Sequence, residues 1–416
     1  MTGTATPLPT RAGRVLLAAC VLLLAGCSGE YPQTTFKPVT DYGEQINGLF
    51  YNTTAWTMAI LLIVESVLLY VLFRFRGRPN APEPKQIHGN TVVEIIWTVI
   101  PAVIVALIAI PAVGAIFEIQ RPKDDGAFEV NVIGHQWWWE FQYPELPGVI
   151  TANEMHVPAG RMIYLNMRSA DVIHSFWIPR IGGKRDVNPV PAVRQGEAER
   201  LNHLQFLINE PGIYDGQCAE YCGDSHAIMR MRVIAHEPEQ FDRWVAAYRA
   251  PKPAPTDSLA AYGQQVMSRS SCIACHSISG TNFVGRIGPN LTFMGDRWTV
   301  GAGVEHNSVE ALTAWITNPA AVKPGARMPG IRTEGGGMPP TGLSEEDARA
   351  IATYLFSLRS DAVPMDSTAS PAGEGRIERG TPGASPLDAH DPVGPASTQA
   401  PTGTPGGDTT AQHAGH

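Results

Sequence analysis

The sequence predicts a multidomain membrane protein: a two-helix transmembrane hairpin, a Greek-key β-sandwich, an all-α domain and a disordered C-terminal tail. Three observations carry that assignment. Two long apolar runs lie before residue 120, and Pro, Gly, Ser and Thr dominate after 360. Between them the period changes from helical to alternating and, beyond a Pro-rich break, back to helical. A chain of 416 residues must be divided in some such way, because a single core rarely grows beyond about 250 residues.

The first element is an export signal. Arg11 and Arg14 precede a short apolar run that ends Leu24-Ala25-Gly26-Cys27. This is a lipoprotein-type signal over residues 1–26, with Cys27 as the acylated first residue of the mature chain; a plain cleaved signal is the alternative. The membrane segment, residues 27–118, holds the apolar runs 55–73, interrupted by Glu65 and Ser66, and 92–117, with Glu94 near its start. Each is long enough to cross a hydrocarbon core of about 30 Å. Arg74, Arg76, Arg78 and Lys85 lie between them, which puts that loop in the cytoplasm and everything after residue 118 outside. Glu94, a carboxylate at the cytoplasmic end of a span, needs a partner or water to face.

Residues 119–250 form the second unit. Phe128, Val130 and Val132 alternate with Glu129 and Asn131, and the pattern recurs at Ile163, Leu165 and Met167 and at Met229, Met231 and Val233. Short strands punctuated by ELPGV, VPAGR and NEPGIY read as a sandwich or barrel. The linker 251–256, PKPAPT, leads to a helical unit at 257–360, with apolar faces at Leu259, Tyr262 and Val266, at Leu312, Trp315 and Ile316, and at Ile351, Tyr354, Leu355 and Leu358. Ser344 followed by Glu345, Glu346 and Asp347 is a helix N-cap with an acidic first turn. The tail 361–416 has too few apolar residues to bury a core. The net charge of -8 excludes a nucleic-acid partner, which would demand clustered Lys and Arg, and suits docking of a basic protein.

Chemistry is concentrated in the cysteines. Cys272, Cys275 and His276 spell C-x-x-C-H, in which both thiols bond covalently to haem and the histidine ligates iron. A thioredoxin-like pair would need a βαβ context, and a zinc knuckle a second Cys/His pair. A methionine sulfur usually completes such a haem of high potential. Met328 in KPGARMPG and Met338 in GGGMPPTG both qualify, and spacing alone does not separate them. The stretch QCAEYCGDSHAIM offers Cys218, Cys222, His226 and Met229. In an oxidising compartment the C-x3-C pair could close a disulfide. Two thiolates, an imidazole and a thioether, however, make a soft set suited to copper, whereas zinc gains little from the thioether. His174, in DVIHSFWIP, supplies a second imidazole, so that two bridging thiolates could hold two copper ions with one histidine on each.

The succession of two spans, GHQWWWEFQY, DVIHSFWIP and QCAEYCGDSHAIM resembles subunit II of haem-copper cytochrome c oxidases, and the appended CIACH domain resembles the version with a fused cytochrome c. The resemblance covers residues 40–360 and implies a cupredoxin-like sandwich and a class I cytochrome c domain. It implies a dinuclear copper A centre on His174, Cys218, Cys222, His226, Met229 and the Glu220 carbonyl. The Glu220 side chain would reach a magnesium or manganese ion shared with subunit I. Trp137 matches an exposed electron-entry tryptophan, with Trp138 and Trp139 read as packed strand residues, and Glu94 matches the mouth of a proton path into subunit I. KPGxxMP favours Met328 as the haem ligand, and the spacing after Met338 keeps that residue as a rival. The implied function is that of the electron-entry subunit, carrying electrons from a soluble donor such as cytochrome c through covalent haem c and copper to haem in subunit I. Oxygen reduction and proton pumping would then occur on another subunit. The implied partners are subunits I and III and a bacterial cell membrane, with copper and haem domains on its periplasmic or extracellular side. A copper chaperone would not need the haem domain, a quinol oxidase subunit would lack the copper ligands, and a nitrous-oxide-type copper domain would lack the two spans.

Overall fold

The computed structural model describes residues 31–77, 86–190, 201–332 and 339–360. The signal segment with Cys27, the loop residues Arg78 and Lys85, Met338 and the tail 361–416 lie outside the described residues.

Helices α1 (Asp41–Arg74) and α2 (Thr91–Ile119) are 34 and 29 residues long and apolar enough to cross a membrane. Helix α1 begins well before the apolar run. Its length, about 51 Å at 1.5 Å per residue, exceeds the hydrocarbon core, and the surplus turns belong to a joint with the sandwich. Thr40 caps the helix by accepting the Gly43 N–H. Asp41 accepts the Leu207 N–H at 2.8 Å, and Tyr42 lies against Gly182 and Gly183. These polar turns read as loop by hydropathy; capping and tertiary contacts make them helix.

The strands are β1 (Phe128–His135), β2 (Trp138–Gln142), β3 (Ile150–Ala152), β4 (Glu154–Pro158), β5 (Met162–Ser169), β6 (His174–Trp177), β7 (Arg185–Val187), β8 (Asn202–Leu207), β9 (Gly212–Cys218) and β10 (Arg230–His236). They form two five-stranded sheets, in the orders β3-β2-β1-β5-β8 and β4-β10-β9-β6-β7. The β1–β5 and β4–β10 pairs are parallel, as sheet-to-sheet crossovers require, and the other pairs are antiparallel. The alternating apolar positions face inward: Phe128, Val130, Val132, Ile163, Leu165, Met167, Met231 and Val233 are all buried in one core. Cys218, Cys222 and Met229 belong to that same core, so the metal-type loop is anchored in the sandwich.

Helix α3 (Pro238–Arg249) follows β10 directly and buries Phe241, Trp244, Val245 and Tyr248. This i, i+3, i+4, i+7 stripe closes one end of the sandwich, with Phe241 edge-on to Phe128 and Trp244 stacked on His156. The alternating-strand expectation contained no such helix.

The C-terminal domain comprises α4 (Ser258–Arg269), a single turn α5 (Cys272–Cys275), a two-stranded ribbon of β11 (Thr299–Val300) and β12 (Glu305–His306), α6 (Val309–Thr317), the short α7 (Pro319–Val322) and α8 (Glu345–Ser357). Ser344 and Asp347 form a reciprocal capping box on α8. Leu312, Ile316, Ile351, Tyr354, Leu355 and Leu358 are buried together. One expected face is corrected: α4 buries Ala260, Gly263, Val266 and Met267, while Tyr262 is exposed. The cause is the close crossing of α4 and α8, where a Cβ at Gly263 would strike the Ala350 carbonyl. Only small residues fit there.

This domain is docked against the sandwich, and the seam carries paired charges. Buried Glu154 accepts the Trp298 N–H at 3.0 Å. Arg232 binds Asp215 at 2.5 Å and lies over the Trp298 ring. Burial pushes the Glu154 carboxyl up despite the Arg232 guanidinium nearby. Charges out of water persist only when partnered in this way.

Candidate metal centre

Strand β9 delivers Cys218 at its last position, and β10 begins immediately after Met229. The Cys218 N–H donates to the Met229 carbonyl at 2.9 Å, so the sheet ladder itself closes the loop that carries Cys222 and His226. Gly223 turns the loop at φ +114 with the Gln136 and Trp137 side chains against it. His174 opens β6, the strand paired to β9, and that pairing brings it to a loop distant in sequence.

Cys222 is the hub. Its sulfur lies 3.8 Å from Cys218 Sγ, 3.6 Å from His226 Nδ1 and 3.8 Å from Met229 Sδ. Cys218 Sγ lies 3.9 Å from His174 Nδ1 and 3.3 Å from the Glu220 carbonyl oxygen. The ligand atoms of His174, Cys218 and Cys222 all fall within 4.8 Å of one another, and His226 joins through Cys222. The two sulfurs are far beyond the roughly 2.05 Å of a disulfide, and both cysteines are free. Buried this close, the two thiols do not ionise independently: their mutual contact draws Cys218 down and pushes Cys222 up. Binding of soft metal ions would displace the thiol protons. Two thiolates, two imidazoles, a thioether and a carbonyl converging in a buried pocket fit paired copper.

Asp171, which the sequence reading passed over, orients the site. His174 Nε2–H donates to Asp171 Oδ1 at 2.8 Å, leaving Nδ1 to face the sulfurs. Burial works against the Asp171 carboxylate, but hydrogen bonds from His174 and from the Gln136 and Val172 N–H groups outweigh it and hold it below the usual range. Such outer partners fix tautomer and ring orientation, and their loss typically costs about 10- to 100-fold in metal affinity. Asp171→Asn is expected to weaken copper retention by that factor in a chelator competition while leaving the fold intact.

The other expected site residues are placed as follows. Trp137 donates its indole N–H to the Cys222 carbonyl at 3.0 Å, but it is 7% exposed. The expectation of an exposed tryptophan is corrected: the segment around Gly325 of the C-terminal domain covers the ring. Trp139 is buried in the core and Trp138 stacks on His135. Glu220 turns its carboxylate to Lys184 at 3.1 Å. Glu94 accepts the Asn90 N–H at 3.2 Å, while the Asn90 side chain caps Val92 and Val93, so the carboxylate completes the N-terminus of α2.

In the C-terminal domain His276 is buried and directs Nδ1–H to the Pro289 carbonyl at 2.8 Å. Burial pulls its pKa down, keeping the ring neutral, and Nε2 is left to act as a ligand. Gly288 packs on that ring, and Gly285 packs on the backbone of the Cys275 turn. Val284 and Ile287, next to these glycines, are 73% and 77% exposed, as apolar residues meant to cover a flat apolar group would be. Met328 packs against the domain core, its sulfur 3.1 Å from Trp315 Nε1. Lys323, also passed over in the sequence, is 3% exposed at the domain seam, where burial brings its amine down to about 7.

Comparison with known proteins agrees with these features along the chain. Residues 36–114 match the transmembrane domain of cytochrome c oxidase subunit II, 148–236 its periplasmic domain, and 260–359 cytochrome c. Cytochrome c oxidase subunit 2 of Alkalihalophilus pseudofirmus is 36% identical over 352 residues, covering 82% of this chain and 96% of that protein. The Bacillus subtilis protein of the same name is 32% identical, covering 84% and 98%. Among solved structures, the periplasmic domain of subunit II of cytochrome oxidase from Bradyrhizobium japonicum is 32% identical, covering 30% of this chain and 94% of that one, with a TM-score of 0.26. The His/Cys/Met cluster is thus a copper A-type site beside a cytochrome c domain that implies haem c. The chain belongs to the cytochrome c oxidase subunit II family, in the form that carries a C-terminal cytochrome c domain.

Proposed function

We propose that this chain, a membrane subunit of the cytochrome c oxidase complex, is its electron-entry subunit. Bound at these residues, haem c and a copper pair would carry single electrons from a soluble donor such as cytochrome c to haem in subunit I, where oxygen is reduced and protons are pumped. The observation that supports this most directly is the junction of the two domains. Ser225, inside the copper loop, donates to the Pro324 carbonyl of the cytochrome domain at 2.6 Å, so the two cofactor-binding regions touch within one chain.

Each residue has a distinct task. Cys218 and Cys222 would hold the coppers through their thiolates, His174 and His226 through their imidazoles, with Met229 and the Glu220 carbonyl as weaker donors. Burial of the set in a ten-stranded sandwich restrains the ligands between oxidation states, which favours electron transfer over substrate chemistry. Cys272 and Cys275 would hold haem covalently, and His276 and Met328 would offer its iron a nitrogen and a sulfur donor. The Trp137 indole, bonded to the Cys222 carbonyl, lies on the route between the domains. The same reading has Glu94 opening toward a proton path in subunit I, Cys27 lipidated, subunit III in the complex, and both domains on the outer face of a bacterial cell membrane. The Glu220 carboxylate would meet a magnesium or manganese ion only after leaving Lys184.

Metal analysis of the purified complex and electron paramagnetic resonance test the proposal. Two coppers and one covalent haem per copy of this chain, with one unpaired electron shared between the coppers, are expected. Zinc in the loop or a single-copper signal would overturn it.

A further inference from the structure

Among the contacts that join the cytochrome domain to the sandwich is the buried Lys323 amine, whose three carbonyl acceptors favour the charged form that burial opposes. Lys323 donates to the carbonyl oxygens of Trp137 at 2.7 Å, Ile228 at 2.9 Å and Gly301 at 2.7 Å. An ammonium has three N–H donors and no acceptor, so three carbonyls saturate it. Two of them belong to the sandwich, one at the entry tryptophan and one just before Met229; the third belongs to the cytochrome domain. Ile228 and Gly301 lie beside a further link, in which the Arg230 N–H donates to the Ala302 carbonyl at 2.9 Å.

Two residues beyond Lys323, Gly325 adopts φ +76 with no room for a Cβ against the Trp137 ring. Arg327 donates to the side chain of Gln136, the residue before Trp137, at 3.2 Å. The segment from Lys323 to Arg327 therefore lies over Trp137 and is tied down at both ends. A buried charge is tolerated only where its partners are in place, so the seat is specific: sliding the domain would strand the ammonium among unpaired carbonyls.

We propose that Lys323 seats the cytochrome domain on the copper loop and that Gly325, held by that seat, closes Trp137 to soluble proteins. This rests on the electron-relay reading above and adds the residues that hold its two stations in register. Lys323 is a positioning residue; it takes no part in the transfer.

Hydroxyl-radical footprinting of the purified oxidase carrying the full chain tests it. Trp137 oxidation is read against Trp138, which is partly exposed on the neighbouring strand. In Lys323→Met, Trp137 oxidation is expected to rise several-fold while Trp138 is unchanged. Gly325→Val, which forces a side chain into the ring but keeps the ammonium, is expected to do the same and carries the test if the first variant fails to assemble. In both, copper and haem spectra should stay as in the parent while transfer from photoreduced haem to copper slows by about 10- to 100-fold, the scale of misplacement effects. A lesion of folding alone would lower copper or haem content. Unchanged Trp137 oxidation in both variants overturns the proposal. Absence of haem-to-copper transfer in the parent would instead overturn the relay reading, because the footprint reports the seat with or without electron flow.

Discussion

Replacing Cys222 with serine is expected to abolish the copper centre and with it oxygen consumption by the complex, a loss of more than about 100-fold, beyond what removing an outer partner costs. The size follows from the geometry. Cys222 Sγ is the atom that approaches Cys218, His226 and Met229 all at once, so its removal isolates His226 and Met229 from the other half of the site. Serine offers a hard, poorly ionised oxygen to a soft metal. The buried hydroxyl would also lose the sulfur contacts around it, at roughly 1–3 kcal/mol, which a core of this size can absorb. The cytochrome domain has its own hydrophobic cluster, so covalent haem with an unchanged spectrum serves as the folding control. Retention of two coppers per chain in this variant would show that the cluster is not the ligand set.

Much of this was legible in the sequence, for identifiable reasons. Five of the six donors, the Glu220 carbonyl included, fall between Cys218 and Met229, because a loop closed by a β-ladder keeps its ligands local. The sandwich announced itself by alternation, since the inward positions of the longer strands, such as Phe128, Val130, Val132, Ile163, Leu165 and Met167, are large and apolar. What stayed hidden was long-range or carried by the backbone. Asp171 sits three residues before His174, yet nothing in that spacing says which ring nitrogen it holds. Lys323 binds carbonyl oxygens of Trp137, Ile228 and Gly301, and a carbonyl has no residue type to betray it. The burial of Trp137 was likewise invisible, because the cover comes from a different domain. Helix α3 is another matter: Phe241, Trp244, Val245 and Tyr248 display the helical stripe openly, with Pro238 at the first turn. The α4 face was misjudged because burial there follows helix proximity rather than hydrophobicity.

Met328→Ala is expected to convert the haem from low spin to high spin and to lower its potential, while Met338→Ala leaves both unchanged. A methionine sulfur stabilises the reduced haem, and axial ligands together command roughly 0.8 V of potential. A drop of about 0.12 V is modest on that scale, yet at about 59 mV per tenfold for one electron it disfavours reduction by the soluble donor about 100-fold. The structure supports Met328 in two ways. Its side chain already packs on the cytochrome core, and Trp315 donates to its sulfur at 3.1 Å. That bond uses one sulfur lone pair, leaving the other for iron. It also fixes the orientation of a side chain that is otherwise the most flexible of the apolar residues. Potentiometric titration of the two variants in the intact chain separates the candidates. If Met338→Ala is the variant that loses low-spin haem, the ligand comes from the glycine-rich segment, and the Trp315 contact with Met328 is packing alone.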